Sequence, residues 1–460
     1  MSESLLSLIR DGRRAMKQGP AAIAQRRRSR FEEMAAFARA HSPYYRELYR
    51  DLPREIDDAA LLPVTDKKRL MARFDDWVTD PEVTLEKVRA LAENPDRIAE
   101  RFLGKYTVAT TSGTTGARGM FVLDDRTMAV TNAIAFRMIT SWLGVGDVLR
   151  IFAHGGRMAM IMAGGGHFAS AVAAARMRKS PRGRKRVGVF PAQTPLPVLV
   201  EQLNRFQPAV MAPYASMAAL LASEQEAGRL AIHPVLLALS AEGLPIDEYA
   251  RIAKAFDARV GNSYASTECT FLSYGCEERW LHINADWVVV EPVNAEYQPV
   301  PAGEQSYTVL ISNLANRVQP ILRYDLGDSV LQRPDPCPCG NPLPAIRVQG
   351  RAADVLTFER ANGQQVSIPP LAFAAVTERV DDIELSQIVQ TGRAALRVRL
   401  RLTSDGDSDR IWRSLSDALT RLLAEHDLSH VRIERASEPP EQSTGGKFRQ
   451  VIPLKVTEQR

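Results

Sequence analysis

The residues with the most pointed chemistry are a run of small hydroxyls and glycines, Thr110-Thr111-Ser112-Gly113-Thr114-Thr115-Gly116-Ala117-Arg118-Gly119. Glycine lets a backbone approach a phosphate closely, and hydroxyls with backbone N–H groups supply donors for its oxygens. The run lacks the G-x-x-x-x-G-K-[ST] spacing of P-loop nucleotidases. A flexible linker could share this composition. The flanking YTVAT and MFVLDD both read as strands, however, which is poor context for a linker. A second cluster is Cys337-Pro338-Cys339-Gly340, with further cysteines at 269 and 276. Four cysteines in 460 residues make no disulfide framework, and in a reducing compartment the Cys-Pro-Cys-Gly cluster reads as a metal site. A third is RMRKSPRGRKR, residues 176–186, with seven Arg or Lys in eleven. It is either a solvated loop or a docking patch for a polyanion.

These groups need a scaffold. At 460 residues the chain is too long for one ordinary core, so two or more units are expected. It is 45% hydrophobic and 25% charged, the composition of a globular protein, with a net charge of +5. Residues 1–100 read as helical, punctuated by Pro43, Pro53 and Pro63. Beyond them, short apolar runs such as VLRIFA (148–153) and AVMAP (209–213) read as strands, and SMAALLASEQEAG (216–228) as a crossover helix. Met158–Ala175, with Gly164-Gly165-Gly166 and His167, reads as a buried glycine-rich element instead of a membrane span. WVVVEPV, YTVLISNL and SVLQRP suggest a small β subdomain. After about residue 350, LRVRLRL (396–402) and VRIERA (431–436) read as strands and 408–426 as an amphipathic helix. The expected fold class is α/β: a large N-terminal domain, 1–350, with parallel sheets flanked by helices plus a small β subdomain at about 270–350, then a small mobile α+β C-terminal domain, 351–460. The N-terminus lacks the apolar core of a signal peptide, and a cytoplasmic location is expected.

The TSGTTG sequence within the first run resembles the phosphate-binding signature of the acyl-adenylate-forming (AMP-binding) superfamily. Arg118 stands near the place of that signature's usual lysine. Four further segments follow in the superfamily's order. Ser240-Ala241-Glu242-Gly243 resembles the segment lining the adenine and acyl group. Asn262-Ser263-Tyr264-Ala265-Ser266-Thr267-Glu268 resembles the Tyr-Gly-x-Thr-Glu motif, with Ala265 for glycine. The resemblance implies that Tyr264 stacks on adenine beside Ser263, that Thr267 reaches the α-phosphate, and that Glu268 holds Mg²⁺. Arg323-Tyr324-Asp325-Leu326-Gly327-Asp328 implies that Asp328 binds the ribose. Gly350-Arg351-Ala352-Ala353-Asp354 resembles the hinge, with Arg351 near the nucleotide and Ala353 at the usual pivot. Ser443-Thr444-Gly445-Gly446-Lys447 resembles the C-terminal lysine motif, whose lysine bridges carboxylate and α-phosphate.

SPYYRELYRDLP (42–53), LLPVTDKKRL (61–70), APYASMAAL (212–220) and CPCG resemble the phenylacetate–CoA ligase-like branch. The implied activity is conversion of a carboxylic acid, first of all an aryl or arylacetic acid, to acyl-AMP with ATP, then transfer to coenzyme A. Acceptors other than coenzyme A, a carrier-protein thiol or an amine, and a catalytically inactive nucleotide-binding homologue are the alternatives. Thr111, Ser112, Gly113, Thr114, Thr115, Gly116, Ala241, Glu242 and Gly243 fall to the nucleotide. His154, Gly155 and Tyr214, with Ala241 and Glu242, are candidates for the acid. Some members of the branch carry structural zinc, for which Cys276, His282, Cys337 and Cys339 would form a closed Cys₃His site. The basic run could meet coenzyme A phosphates or an acyl carrier protein. A homodimer is a further expectation; nucleic-acid and membrane partners are not expected.

Overall fold

The structure is a computed structural model. It describes residues 4–454 apart from 99, 112–118, 163–166, 168, 193, 241–242, 245, 271, 352–355, 361, 369, 378–379, 404–406 and 442–447. Two compact units emerge. The first comprises Met1–Gly303, Val309–Leu326 and Gln332–Arg347; the second comprises Glu304–Thr308, Gly327–Leu331 and Val348–Arg460. The segments Glu304–Thr308 and Gly327–Leu331 thus group with the carboxyl-terminal region, a division finer than a single cut at 350.

The first unit begins with helices Leu5–Gln18, Pro20–His41 and Pro43–Leu48. Each start follows local chemistry: Ser4 and Ser42 accept hydrogen bonds from Ser7 N and Tyr45 N, and Pro20 and Pro43 occupy first-turn positions where no N–H is needed. These helices pack Phe31, Met34, Tyr45 and Tyr49 into one core with Trp77. Tyr45 and Trp77 both donate to the Pro320 carbonyl.

Strands β1 (Thr107–Thr110) and β2 (Met120–Leu123) form an antiparallel pair. The main sheet holds β3 (Met158–Met162), β4 (Val187–Pro191), β5 (Val210–Ala212), β6 (Leu236–Ser240) and β7 (Arg259–Tyr264), all parallel in the order β4-β3-β5-β6-β7. β8 (Ser273–Gly275) and β9 (Leu281–Ile283) continue it antiparallel, and Ala345 and Ile346 pair with β9. β10 (Val288–Val293), β11 (Thr308–Asn313) and β12 (Ile321–Asp325) make a separate sheet. The helices after β4, β5 and β6, at Leu196–Phe206, Ala215–Glu226 and Ile246–Phe256, are the crossovers that parallel strands require. Leu199, Leu203, Leu221 and Ile252 bury against the sheet.

One expected strand is a helix. VLRIFA belongs to Val145–Ala153, opened by Asp147 accepting from Gly144 N. Among the described residues no single helix is long and apolar enough to cross a membrane.

The second unit is an α+β body of its own. Strands 383–392 and 395–402 form an antiparallel hairpin flanked by two parallel edge strands, Arg432–Arg435 and Val451–Ile452. Helix Ser408–Glu425 buries Ile411, Leu415, Leu419 and Leu423, a four-residue repeat along one face.

Candidate active site

All five parallel strands end on the same side, and the chemistry gathers there. Tyr214, just past β5, pairs with Ser240 at the end of β6, and Ser240 pairs with Ser263 of β7. Tyr214, Ser240, Ser263 and Tyr264 therefore line adjacent strand ends, the place where ligands bind open α/β sheets. Tyr264 is half-buried, leaving part of its ring available for stacking.

Glu268 follows in a turn closed by Ser266 N donating to Cys269 O and Cys269 N donating to Ser266 Oγ, both at 3.1 Å. Thr267 is half-buried in this turn, and Glu268 is buried. Two groups fix Glu268: Asn313 Nδ2 donates to its carbonyl at 3.1 Å, and the Tyr324 hydroxyl donates to Oε1 at 3.0 Å. Burial and the neighbouring Glu268 carboxylate push the Tyr324 hydroxyl far above its ordinary range, so it stays a donor. Burial likewise raises the Cys269 thiol, leaving it protonated and inert.

The same β12 strand positions a lysine. Thr65 N donates to Arg323 O, Asp325 N to Thr65 O, and Thr65 Oγ1 to Leu322 O. Arg323, at φ +46°, donates to the Ala60 and Leu62 carbonyls. Asp66 then caps helix Lys67–Ala72 by accepting from Arg69 N. This sends the Lys67 side chain past Gly119. A Cβ built on Gly119 would lie 3.3 Å from Lys67 Cδ, 3.2 Å from Thr111 Oγ1 and 2.7 Å from Phe121, so glycine is what the space admits. The base of the hairpin is clasped reciprocally: Thr111 N donates to Gly119 O at 3.0 Å, and Gly119 N to Thr111 Oγ1 at 2.9 Å. The loop whose own lysine is missing is thus met at its root by a lysine from residues 61–70. Tyr324 and Lys67 are candidate site residues that sequence reasoning did not single out.

Ser112, Gly113, Thr114, Thr115, Gly116, Ala241, Glu242 and Lys447 lie outside the described residues. Gly243 is exposed just beyond the end of β6. Arg351 ends the strand Ala345–Arg351. Asp328 opens the strand Asp328–Gln332, after Gly327 at φ +76°, in the second unit. His154 does not join the others. It is exposed, it caps helix Val145–Ala153, and it precedes β3, which puts it at the opposite, amino-terminal edge of the sheet with Gly155.

A second constellation lies where the sheet turns antiparallel. Cys276 Sγ and Cys337 Sγ are 3.8 Å apart, His282 Nε2 lies 3.2 Å from Cys339 Sγ, and all four ligand atoms fall within 4.8 Å of one another. Bonds of about 2.3 Å to a tetrahedral ion put two sulfurs about 3.8 Å apart. His282 Nδ1 is 2.9 Å from the Leu343 carbonyl, which can only accept, so Nδ1 carries the proton and Nε2 faces the thiols. Burial lowers the His282 pKa, favouring the neutral imidazole, and burial pushes the Cys339 thiol up to about 12. The turns are built for this meeting: Cys276 N donates to Trp280 O, and Gly340, at φ +77°, donates to Cys337 O.

No protein-family profile matches the sequence, and no curated protein sequence does. Solved structures do match. 2-Hydroxyisobutyryl-CoA ligase, in its postadenylation state with 2-HIB-AMP, aligns over 95% of this chain and 90% of its own at 20% identity, with a TM-score of 0.65. The chain has the acyl-CoA ligase fold. An anthranilate CoA ligase in complex with anthranoyl-AMP shares it over 74% of this chain and 64% of its own, at 16% identity and a TM-score of 0.51. A benzoate CoA ligase from Burkholderia xenovorans LB400 does so over 72% and 65%, at 15% identity and a TM-score of 0.50. These ligases belong to the acyl-adenylate-forming superfamily, so the α/β fold class expected from the sequence is the one observed. On the acyl-CoA ligase fold of this chain, the Thr111–Gly119 clasp and Glu268 occupy the segments whose motifs resemble that superfamily's.

Proposed function

We propose that the protein activates a small carboxylic acid with ATP, giving acyl-AMP and pyrophosphate, and then transfers the acyl group to coenzyme A. The observation that carries this reading is Glu268, buried and aimed by the Tyr324 hydroxyl, in a turn directly after the strand that ends at Tyr264. A hard carboxylate held in this way suits Mg²⁺, which supplies charge neutralisation on the phosphates when bound. Tyr264 offers its ring to the adenine. Thr111 and Gly119 clasp the root of the phosphate loop, and Lys67, passing Gly119, supplies the cation there. Asp328 takes the ribose, Arg351 the nucleotide, and Lys447 the developing charge between carboxylate and α-phosphate. Catalysis by such a set is positioning and electrostatics, without a covalent enzyme intermediate. Tyr214 borders the acid, and an aryl or arylacetic acid is the first substrate class.

The test is carboxylate-dependent exchange of labelled pyrophosphate into ATP across a panel of aliphatic, hydroxy and aryl acids, followed by thioester formation with coenzyme A. No exchange with any acid, in folded protein that binds ATP, would sink the reading. The four-ligand cluster is assigned to structural zinc, because donor set, tautomer and spacing all fit a closed tetrahedron. Elemental analysis of protein purified without added metal should give about one zinc per chain, and Cys337→Ser should lower both zinc content and melting temperature.

A further inference from the structure

The amino-terminal edge of the parallel sheet carries two features that adenylation does not use. The first is helix Val145–Ala153. Val145, Val148, Leu149 and Phe152 fall on one helical face and are 81%, 39%, 65% and 65% exposed, and none of the helix's residues is buried. The helix is nevertheless anchored at both ends. Asp147 Oδ2 lies 3.6 Å from Arg259 Nε at the start of β7, and Gly155 and Gly156 turn the chain into β3. From β7 to β3 is three strand steps, about 14 Å, and the chain from Asp147 to His154 rises about 10 Å as helix. The helix therefore runs along the strand starts and leaves its apolar face open.

The second feature is the basic run. The pairing of Met158 with Val187 sets the starts of β3 and β4 side by side, so Arg157 and Arg186 share this edge. The run is helical. It spans the end of Ala169–Met177 and all of Pro181–Arg186, with Ser180 capping Gly183 N at 3.0 Å. A Cβ on Gly183 would meet the Met177 carbonyl oxygen at 2.0 Å, so the turn is packed down to the backbone. Arg176 donates to Thr107 Oγ1 and Arg184 to Lys179 O; among the described residues none of the seven cations pairs with a carboxylate. The chain's net charge is +5, and without the run's seven cations the remainder is −2.

We propose that this edge docks on the surface of an anionic phospholipid bilayer, with the open helix face in the interfacial layer and the basic turn on the headgroups. An exposed apolar helix beside uncompensated cations has the two properties that interfacial binding requires. The run contains no aromatic residue on which bases could stack, which disfavours single-stranded nucleic acid. A second copy seated on the face across a two-fold axis would bring its own basic turn to the same interface, cation against cation. Tyr214, Ser240, Ser263 and Tyr264 lie at the strand ends on the other side, away from this edge.

The full-length protein is sedimented with vesicles of phosphatidylcholine alone and of phosphatidylcholine mixed with phosphatidylglycerol, at low and high salt. Binding is expected to the anionic vesicles only, falling about tenfold or more at high salt. A comparable loss is expected for the combined Arg182→Gln, Arg184→Gln, Lys185→Gln and Arg186→Gln variant, and for Leu149→Ser with Phe152→Ser. The substituted side chains are exposed, and unchanged melting temperature and pyrophosphate exchange show that each variant is folded. The proposal is overturned if the intact protein ignores anionic vesicles, or if both variants bind them as the parent does. A dimer that Leu149→Ser with Phe152→Ser dissociates, without vesicle binding, gives the face to a second copy instead.

Discussion

The two edges of the parallel sheet use the same strands for opposite ends. At the carboxyl edge, polar groups are satisfied by one another: Tyr324 holds Glu268, Thr111 and Gly119 clasp, and β12 aims Lys67. At the amino edge, Leu149, Phe152 and the run 176–186 turn outward. Parallel strands deliver all their exits to one side, where short loops from distant parts of the chain can build one site. The entrances are left free of that task. A fold of this kind can therefore separate what it reacts with from what it rests on.

The largest expected effect is on stability. Arg137 donates to both carboxylate oxygens of buried Asp286, at 2.8 and 2.6 Å, and helix Asp125–Trp142 leads directly to the open helix. Arg137→Met should cost about 3 kcal/mol in urea unfolding, because the buried Asp286 carboxylate loses both hydrogen bonds and keeps only Arg30, 3.8 Å away. Burial alone would raise the Asp286 carboxyl; the contact with Arg137 outweighs it and leaves the pKa below its ordinary value. A depressed carboxyl stabilises fully above its unfolded value, near pH 4, and that contribution is lost as pH falls through the folded value. The gap between Arg137→Met and the parent should thus close in acid; a constant gap would mean that the pair is not its source.

Next, Glu268→Gln should slow pyrophosphate exchange about a hundredfold or more while leaving vesicle binding unchanged. If both fall together, the two edges are not independent. Lys67→Met should cost about tenfold or more in kcat/KM for ATP, with an acid KM close to the parent's. An unaltered ATP dependence would return the loop's cation to Arg118. The smallest effect belongs to Tyr324→Phe, about tenfold or less, through loss of one hydrogen bond to a charged group. It should show as a higher Mg²⁺ requirement.

The sequence was most legible where local pattern and chemistry coincide. TVAT within YTVAT and MFVL within MFVLDD are strands, the 408–426 segment is a helix over Ser408–Glu425, and the cysteines with His282 do meet. VLRIFA was read as a strand because six residues of mostly apolar character fit either period. Widening the window by three residues to Val145 exposes the spacing Val145, Val148, Leu149, Phe152, which is helical. The basic run's helix was hidden for another reason: Pro181 and Gly183 signal a turn, while Ser180 uses them to start one. Lys67 and Tyr324 could not be read at all, because their roles follow from the pairing of Thr65 with Tyr324 across about 260 residues of chain.

That pairing also fixes what can be moved between proteins as a working part. The hairpin 107–123 is contiguous and easy to excise, yet it would arrive in a new scaffold without the lysine that meets its root. The transferable module is three pieces, the hairpin, residues 60–72 and strand β12, held together by Thr65 and Arg323. Delivering the cation from a separate segment also frees the loop to change its own sequence, so substitutions within 112–118 and substitutions around Lys67 should drift independently among relatives that keep the clasp.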